Sequence, residues 1–140
     1  MINKTLLLGT LADFPQMRTL DGGSTIARFT IAVMRVWTDS KTRQRREETD
    51  LIPCEAWGRA AELAAHLSRG DEVYLEGRLK LDTWQDTQTG QTRSRLVVVA
   101  ELLEPVVHPT GRTVRSATPP PKVTAHPDED PDAVEIEIPF

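Results

Sequence analysis

The spacing of apolar residues changes period twice along this chain, and that change limits what it can fold into. In residues 72–84, Val73, Leu75, Gly77, Leu79 and Leu81 alternate with Tyr74, Glu76, Arg78, Lys80, Asp82 and Trp84. A strand sends alternate side chains to opposite faces, so the first set predicts a core face and the second an outward one. The same period runs through 92–103 at Leu96, Val98, Ala100 and Leu102, and Asp86 to Gly90 supplies the turn between the segments. Between Arg59 and Arg69 the period becomes helical. Ala60, Leu63, Ala64 and Leu67 fall at i, i+3, i+4 and i+7, with Gly70 where a C-terminal cap is expected.

Upstream the pattern is again that of strands. Residues 2–12 are apolar and end at Asp13 and Pro15; Asp21-Gly22-Gly23 is a hairpin turn signal; residues 25–37 and 49–57 read as further strands around a polar loop from Thr38 to Glu48. The order is three strands, one helix, two strands. That is the arrangement of an all-β domain with one helix, the five-stranded Greek-key barrel called the OB-fold.

Charge and proline divide the 140-residue chain near His108. Residues 1–108 carry a net charge of −1, residues 109–127 a net of +3 and residues 128–140 a net of −6, and seven of the ten prolines lie at or after Pro109. The last 32 residues hold almost no large apolar side chains before Ile136, so they bury too little to offset the entropy of ordering and are expected to be disordered. The expected organisation is a folded domain over 1–108, a proline-rich linker over 109–127 and an acidic tip over 128–140.

The chain has three tryptophans. Trp84 shares its strand face with charged residues. Trp57 lies on the face opposite Ile52, Cys54 and Ala56, together with Leu51, Pro53 and Glu55, so it too is expected outward. Trp37 ends the second long strand beside the polar loop, where a bulge decides its face. Cations surround them: Lys4, Arg35, Lys41, Arg43, Arg45, Arg46, Arg59, Arg78 and Lys80, five of these between 35 and 46 against the single acid Asp39. Outward indoles beside cations suit single-stranded nucleic acid, whose bases stack on aromatic faces for roughly 1–3 kcal/mol each without reading sequence.

Several functions find no support. No apolar run approaches the roughly 20 residues of a membrane helix. The single Cys54 excludes an intrachain disulfide and a cysteine zinc cage, and points to a reducing cytoplasm. His66, His108 and His126 have no metal-ligand spacing, and Asp128-Glu129-Asp130-Pro131-Asp132 lacks the glycine and later glutamate of a calcium loop. There is no phosphate-binding glycine loop and no nucleophile with a base. No metal, cofactor or catalytic activity is expected.

With these residues assembled, the chain resembles bacterial-type single-stranded DNA-binding proteins. The resemblance covers residues 3–104 through Asn3-Lys4, Asp21-Gly22-Gly23, Trp57-Gly58-Arg59, the run Gly70 to Gly77, Trp84 and Val97-Val98-Val99. It resumes at Glu135-Ile136-Glu137-Ile138-Pro139-Phe140. It implies stacking at Trp37, Trp57 and Trp84, phosphate contacts from the cations, and a homotetramer. It also implies recruitment of genome-maintenance proteins in replication, repair and recombination by a tip that includes Asp132, Glu135, Ile136, Glu137, Ile138, Pro139 and Phe140. A nucleoid-associated cytoplasmic location follows. Two positions depart from the family pattern: Leu51 stands where tryptophan is common, and Ile52 where a histidine meets the subunit contact. The alternative is an OB-fold adaptor of the primosomal type whose main surface binds protein.

Overall fold

The structure, a computed structural model, describes residues 1–107. Six strands and one helix follow in order: β1 Thr5–Leu11, β2 Gln16–Thr19, β3 Thr25–Thr38, β4 Arg45–Trp57, α1 Gly58–Ala64, β5 Glu72–Gln85 and β6 Thr92–Pro105. The sheet order is β1-β5-β6-β4-β3-β2, and β1 also pairs with β3 at Thr10↔Ala32 and Leu11↔Ile31. That second pairing closes five strands into the expected OB-type barrel. The short β2 lies outside the closure, paired with β3 across the Asp21-Gly22-Gly23 turn. The linker 109–127 and the tip 128–140, with Asp132, Glu135, Ile136, Glu137, Ile138, Pro139 and Phe140, lie outside the described residues.

The barrel interior takes one face of each strand, which is why the two-residue period is so visible. Leu11, Phe29, Ile31, Cys54, Val73, Leu75, Val98 and Leu103 fill it, with alanines where elements approach closely. Burial pushes the Cys54 thiol up to about 12, so it stays protonated as a small core group.

Several expectations need correction. The helix stops at Ala64 rather than near Arg69, because two three-residue turns follow, His66 N–H to the Leu63 carbonyl and Leu67 N–H to that of Ala64. Its inward face turns toward Ala61, so Ala61 and Ala64 are buried and Leu63 is exposed. Leu79 and Leu81 are not core residues. They share parity with Val73 and Leu75, but β5 and β6 run past the barrel as a two-stranded arm, where no described residue covers that face. Leu96, on the same arm, is exposed for the same reason. Leu102 is exposed by a different cause: Glu76 pairs with Leu102 and Gly77 with Ala100, so Glu101 is an extra residue. The bulge switches parity and sends Leu103 inward instead. Gly77 sits at that bulge, where a Cβ would lie 2.0 Å from the Val99 carbonyl oxygen.

A second arm extends from β3 and β4. The two arms end in turns of the same design, Asp39 to Gln44 and Asp86 to Gln91. In each the first aspartate N–H bonds the glutamine carbonyl, and its carboxylate caps the N–H two residues on. The left-handed position falls on Gly90 in one turn (φ 69°) and on Arg43 in the other (φ 59°).

Candidate nucleic-acid interface

A groove of about 570 Å³ lies between the β2–β3 edge and the β5–β6 arm. Trp57 and Trp84 both line it, 41% and 40% exposed. β4 supplies Trp57 because its outward parity continues from Leu51 through Pro53 and Glu55. β5 supplies Trp84 because Lys80, Asp82 and Trp84 share the face away from Leu79 and Leu81. Arg18, Arg28, Lys80 and Arg95 are the cations of the groove, and Glu55 and Asp82 its acids. The Arg95 guanidinium stands 6.0 Å from the Trp84 ring centroid, at the outer limit of a cation–π contact.

Glu55 fixes the floor. Its outward parity predicted an open surface position, yet it is 2% exposed, because the β5–β6 arm covers it. Oε1 accepts a hydrogen bond from the Trp57 indole Nε1 at 3.3 Å and from the Lys80 ammonium at 3.0 Å. Lys80 also reaches Asp82 at 3.0 Å. The two carboxylates, Asp82 first, hold the Lys80 pKa above its ordinary value. The indole is thus held by its edge, which leaves a ring face free.

The remaining sequence-predicted residues stand elsewhere. Trp37, 39% exposed, pairs with Arg46 and has the parity of Val33 and Ile31, so it lies on the opposite pleat of the β3–β4 ribbon from Trp57. Arg35 covers its ring at 4.6 Å and bonds Glu48 at 2.9 Å. Arg43, Arg45 and Arg46 sit at the tip of that arm, where Arg45 pairs with Glu47 at 3.3 Å. Arg59 opens the helix, and Arg78 lies exposed on β5 opposite Val99. Lys4 lies outside the groove. It bonds Glu76 at 2.8 Å, and the Tyr74 hydroxyl donates to the same carboxylate at 2.6 Å. Lys4, then Tyr74, hold the Glu76 carboxyl below its usual range, and Glu76 in turn raises both partners.

The profile described as the Single-strand binding protein family matches residues 2–106. The chain belongs to that family. Among solved structures, a deletion variant of the single-stranded DNA binding protein from Thermus aquaticus is similar at 32% identity and TM-score 0.67, over 79% of this chain and 53% of that one. The wild-type Thermus aquaticus protein gives 31% and 0.65, over 78% and 52%. The chain therefore spans about half the length of these relatives. The Plasmodium falciparum SSB in complex with ssDNA matches at 23% identity and TM-score 0.70, over 76% of this chain and 96% of that one, which shows the shared fold.

Sequence reasoning missed three groove cations of this family member. Arg28 was within reach, because it stands between the inward Ala27 and Phe29 on β3. Arg18 and Arg95 were not, since only the closed barrel brings β2 and the β6 arm to the same groove. Among the described residues, no helix is long and apolar enough to cross a membrane.

Proposed function

We propose that this protein binds single-stranded DNA without sequence preference, laying the strand along the groove between the β2–β3 edge and the β5–β6 arm. The observation that carries this reading is the joining of two half-exposed indoles, Trp57 and Trp84, with Arg18, Arg28 and Arg95 in one groove. Bases stack on the indoles and phosphates meet the arginines. The basic tip of the β3–β4 arm extends the track beyond the groove, and Trp37, on the opposite pleat of that arm, offers a further stacking face. The family membership and the Thermus relatives support the same reading.

The finer parts of the proposal concern assembly and partners. The outer face of β1 and β5 exposes Leu6 and Leu8 beside Tyr74, and among the described residues β1 has no strand partner on its second side before Thr10. That face and edge suit a subunit contact within a homotetramer. The acidic tip 128–140 recruits genome-maintenance proteins in replication, repair and recombination. The protein acts at the nucleoid in the cytoplasm and catalyses no reaction.

Titration with oligo(dT) tests the core claim. Tryptophan emission falls strongly on binding, and Trp57→Ala weakens affinity by roughly 1–3 kcal/mol with the fold intact. Affinity falls with salt at a slope near −0.7 per phosphate contacted. Unchanged emission and no measurable affinity would overturn the reading and favour a protein-binding adaptor. Deleting 128–140 leaves oligo(dT) binding intact and removes partner capture; the reverse result refutes the assignment of the tip.

A further inference from the structure

A second concavity opens directly beside the first. It measures about 280 Å³ and is lined by Phe14, Arg28, Pro53, Glu55, Arg95 and Val97, among others. Arg28, Glu55 and Arg95 line both spaces, so the two form one continuous track. Along β4 the order is plain: Trp57 and Glu55 face the first space, Glu55 and Pro53 the second. The volume lies near the lower end of the roughly 300–1,000 Å³ typical of small-ligand sites.

Phe14 is the feature that this arrangement leaves unexplained. It is a large aromatic, 63% exposed, on the loop between β1 and β2. Exposure of a phenyl ring costs hydrophobic free energy, and nothing in the barrel uses it. The loop that carries it is well fixed. Ala12 N–H donates to the Thr30 carbonyl at 2.9 Å, the Phe14 N–H donates to Asp13 Oδ1 at 2.8 Å, and Pro15 follows. The ring is therefore presented from a pinned backbone at the wall of a concavity. Arg28 and Arg95 stand in that concavity, and among the described residues neither guanidinium is in a salt bridge.

We propose that this second concavity is an additional nucleotide subsite, with the base stacked on Phe14 and its phosphate held by Arg28 and Arg95. The proposal rests on the single-stranded DNA reading above and extends its track by one base past Trp57. The carboxylates of Asp13 and of Glu55, the latter paired with Lys80, also line this space, which keeps phosphate at the arginines and leaves the wall beside Pro53 to the base. A phenyl ring offers a π face to any base, so the subsite adds affinity without sequence preference.

The test is an oligo(dT) length series on the full chain with Phe14→Ala, Phe14→Tyr and Trp57→Ala. Phe14 is exposed, so Phe14→Ala melts with the wild type. Its affinity falls roughly 5- to 150-fold on oligonucleotides long enough to reach both spaces, the range expected for one lost stack. On the shortest oligonucleotides that still bind at Trp57, the loss disappears. The salt slope is unchanged, because no phosphate contact is removed, and Phe14→Tyr binds as the wild type does. Photocrosslinking with bromouracil oligonucleotides places a base on the peptide that contains Phe14. Wild-type affinity for Phe14→Ala, with weakened Trp57→Ala, overturns the subsite and leaves the groove reading standing. Equal losses for Phe14→Ala and Phe14→Tyr overturn stacking as its basis. No binding of oligo(dT) by the wild type overturns both.

Discussion

Lys80 is held by two carboxylates at once, and removing its charge exposes how the groove floor is stabilised. The ammonium lies 3.0 Å from Glu55 Oε1 and 3.0 Å from Asp82 Oδ1. Lys80→Met keeps most of the aliphatic stem and leaves Glu55, 2% exposed, with the neutral indole N–H of Trp57 as a donor. Breaking a fully buried pair costs about 3–5 kcal/mol. Here the Lys80 side chain is 37% exposed, so water reaches the pair and screens it. The expected loss is therefore about 1–3 kcal/mol. Glu55→Gln removes the charge but keeps an oxygen for the indole, so the double variant should recover part of the loss, with a coupling of about 1–2 kcal/mol. Urea denaturation of the four proteins measures this, provided the m-values agree. The Lys80 pKa is raised in the folded state, so its contribution is complete below the ordinary 10.5 and is lost as pH rises through the raised value. The gap between wild type and Lys80→Met thus persists across neutral pH. A Lys80→Met protein as stable as the wild type, or strictly additive variants, would refute this account of the floor.

Three further outcomes follow from the geometry. The Glu76 carboxyl is lowered in the folded state by Lys4 and then Tyr74, so its contribution is present above 4.5 and lost as pH falls through the lowered value; Glu76→Gln should flatten the acid limb of melting temperature against pH. Gly77→Ala should cost about 3 kcal/mol or more in denaturant melts, because its Cβ would lie 2.0 Å from the Val99 carbonyl oxygen, a backbone atom that cannot swing aside. Arg43→Gly relieves a left-handed backbone (φ 59°) but loosens the unfolded chain, so stability should change by less than about 1 kcal/mol while affinity for oligo(dT) falls with the lost cation.

The barrel was legible because its interior takes one face of each strand, and the alternation at Val73 and Leu75 records that directly. The same alternation carried on through Leu79 and Leu81 and misled, since a period says which face a residue shares but not where the barrel ends. The bulge at Glu101 has no local signal: Leu102 and Leu103 are both good core residues, and the pairing of β5 with β6 decides between them. The helix was legible at its start, but it ends five residues early, and its inward face was set by Ala61 and Ala64 approaching the barrel end, a choice made by packing. At the site, parity put Trp57 and Trp84 outward. The face of Trp37 depended on uninterrupted pairing of β3 with β4 up to Thr38. The burial of Glu55 could not be read from parity, because its cover comes from another arm.

The charge of the groove also bears on which force dominates binding. Four cations line it, Arg18, Arg28, Lys80 and Arg95, yet Lys80 is already committed to Glu55 and Asp82. Three arginines therefore remain for phosphate, and two anions stand beneath them. Three phosphate contacts give a salt slope of about −2 from this groove. Two indole faces supply roughly 2–6 kcal/mol at 1–3 kcal/mol per stacked base. A slope of −2 is worth about 3 kcal/mol at 0.1 M salt, so stacking and counterion release are of similar size in the groove, and a tryptophan loss should cost affinity at every salt concentration. The acids favour the same division. A carboxylate that fixes an indole by its edge also repels phosphate from the floor, so the proposed binding mode has the bases inward and the backbone along the arginine rim.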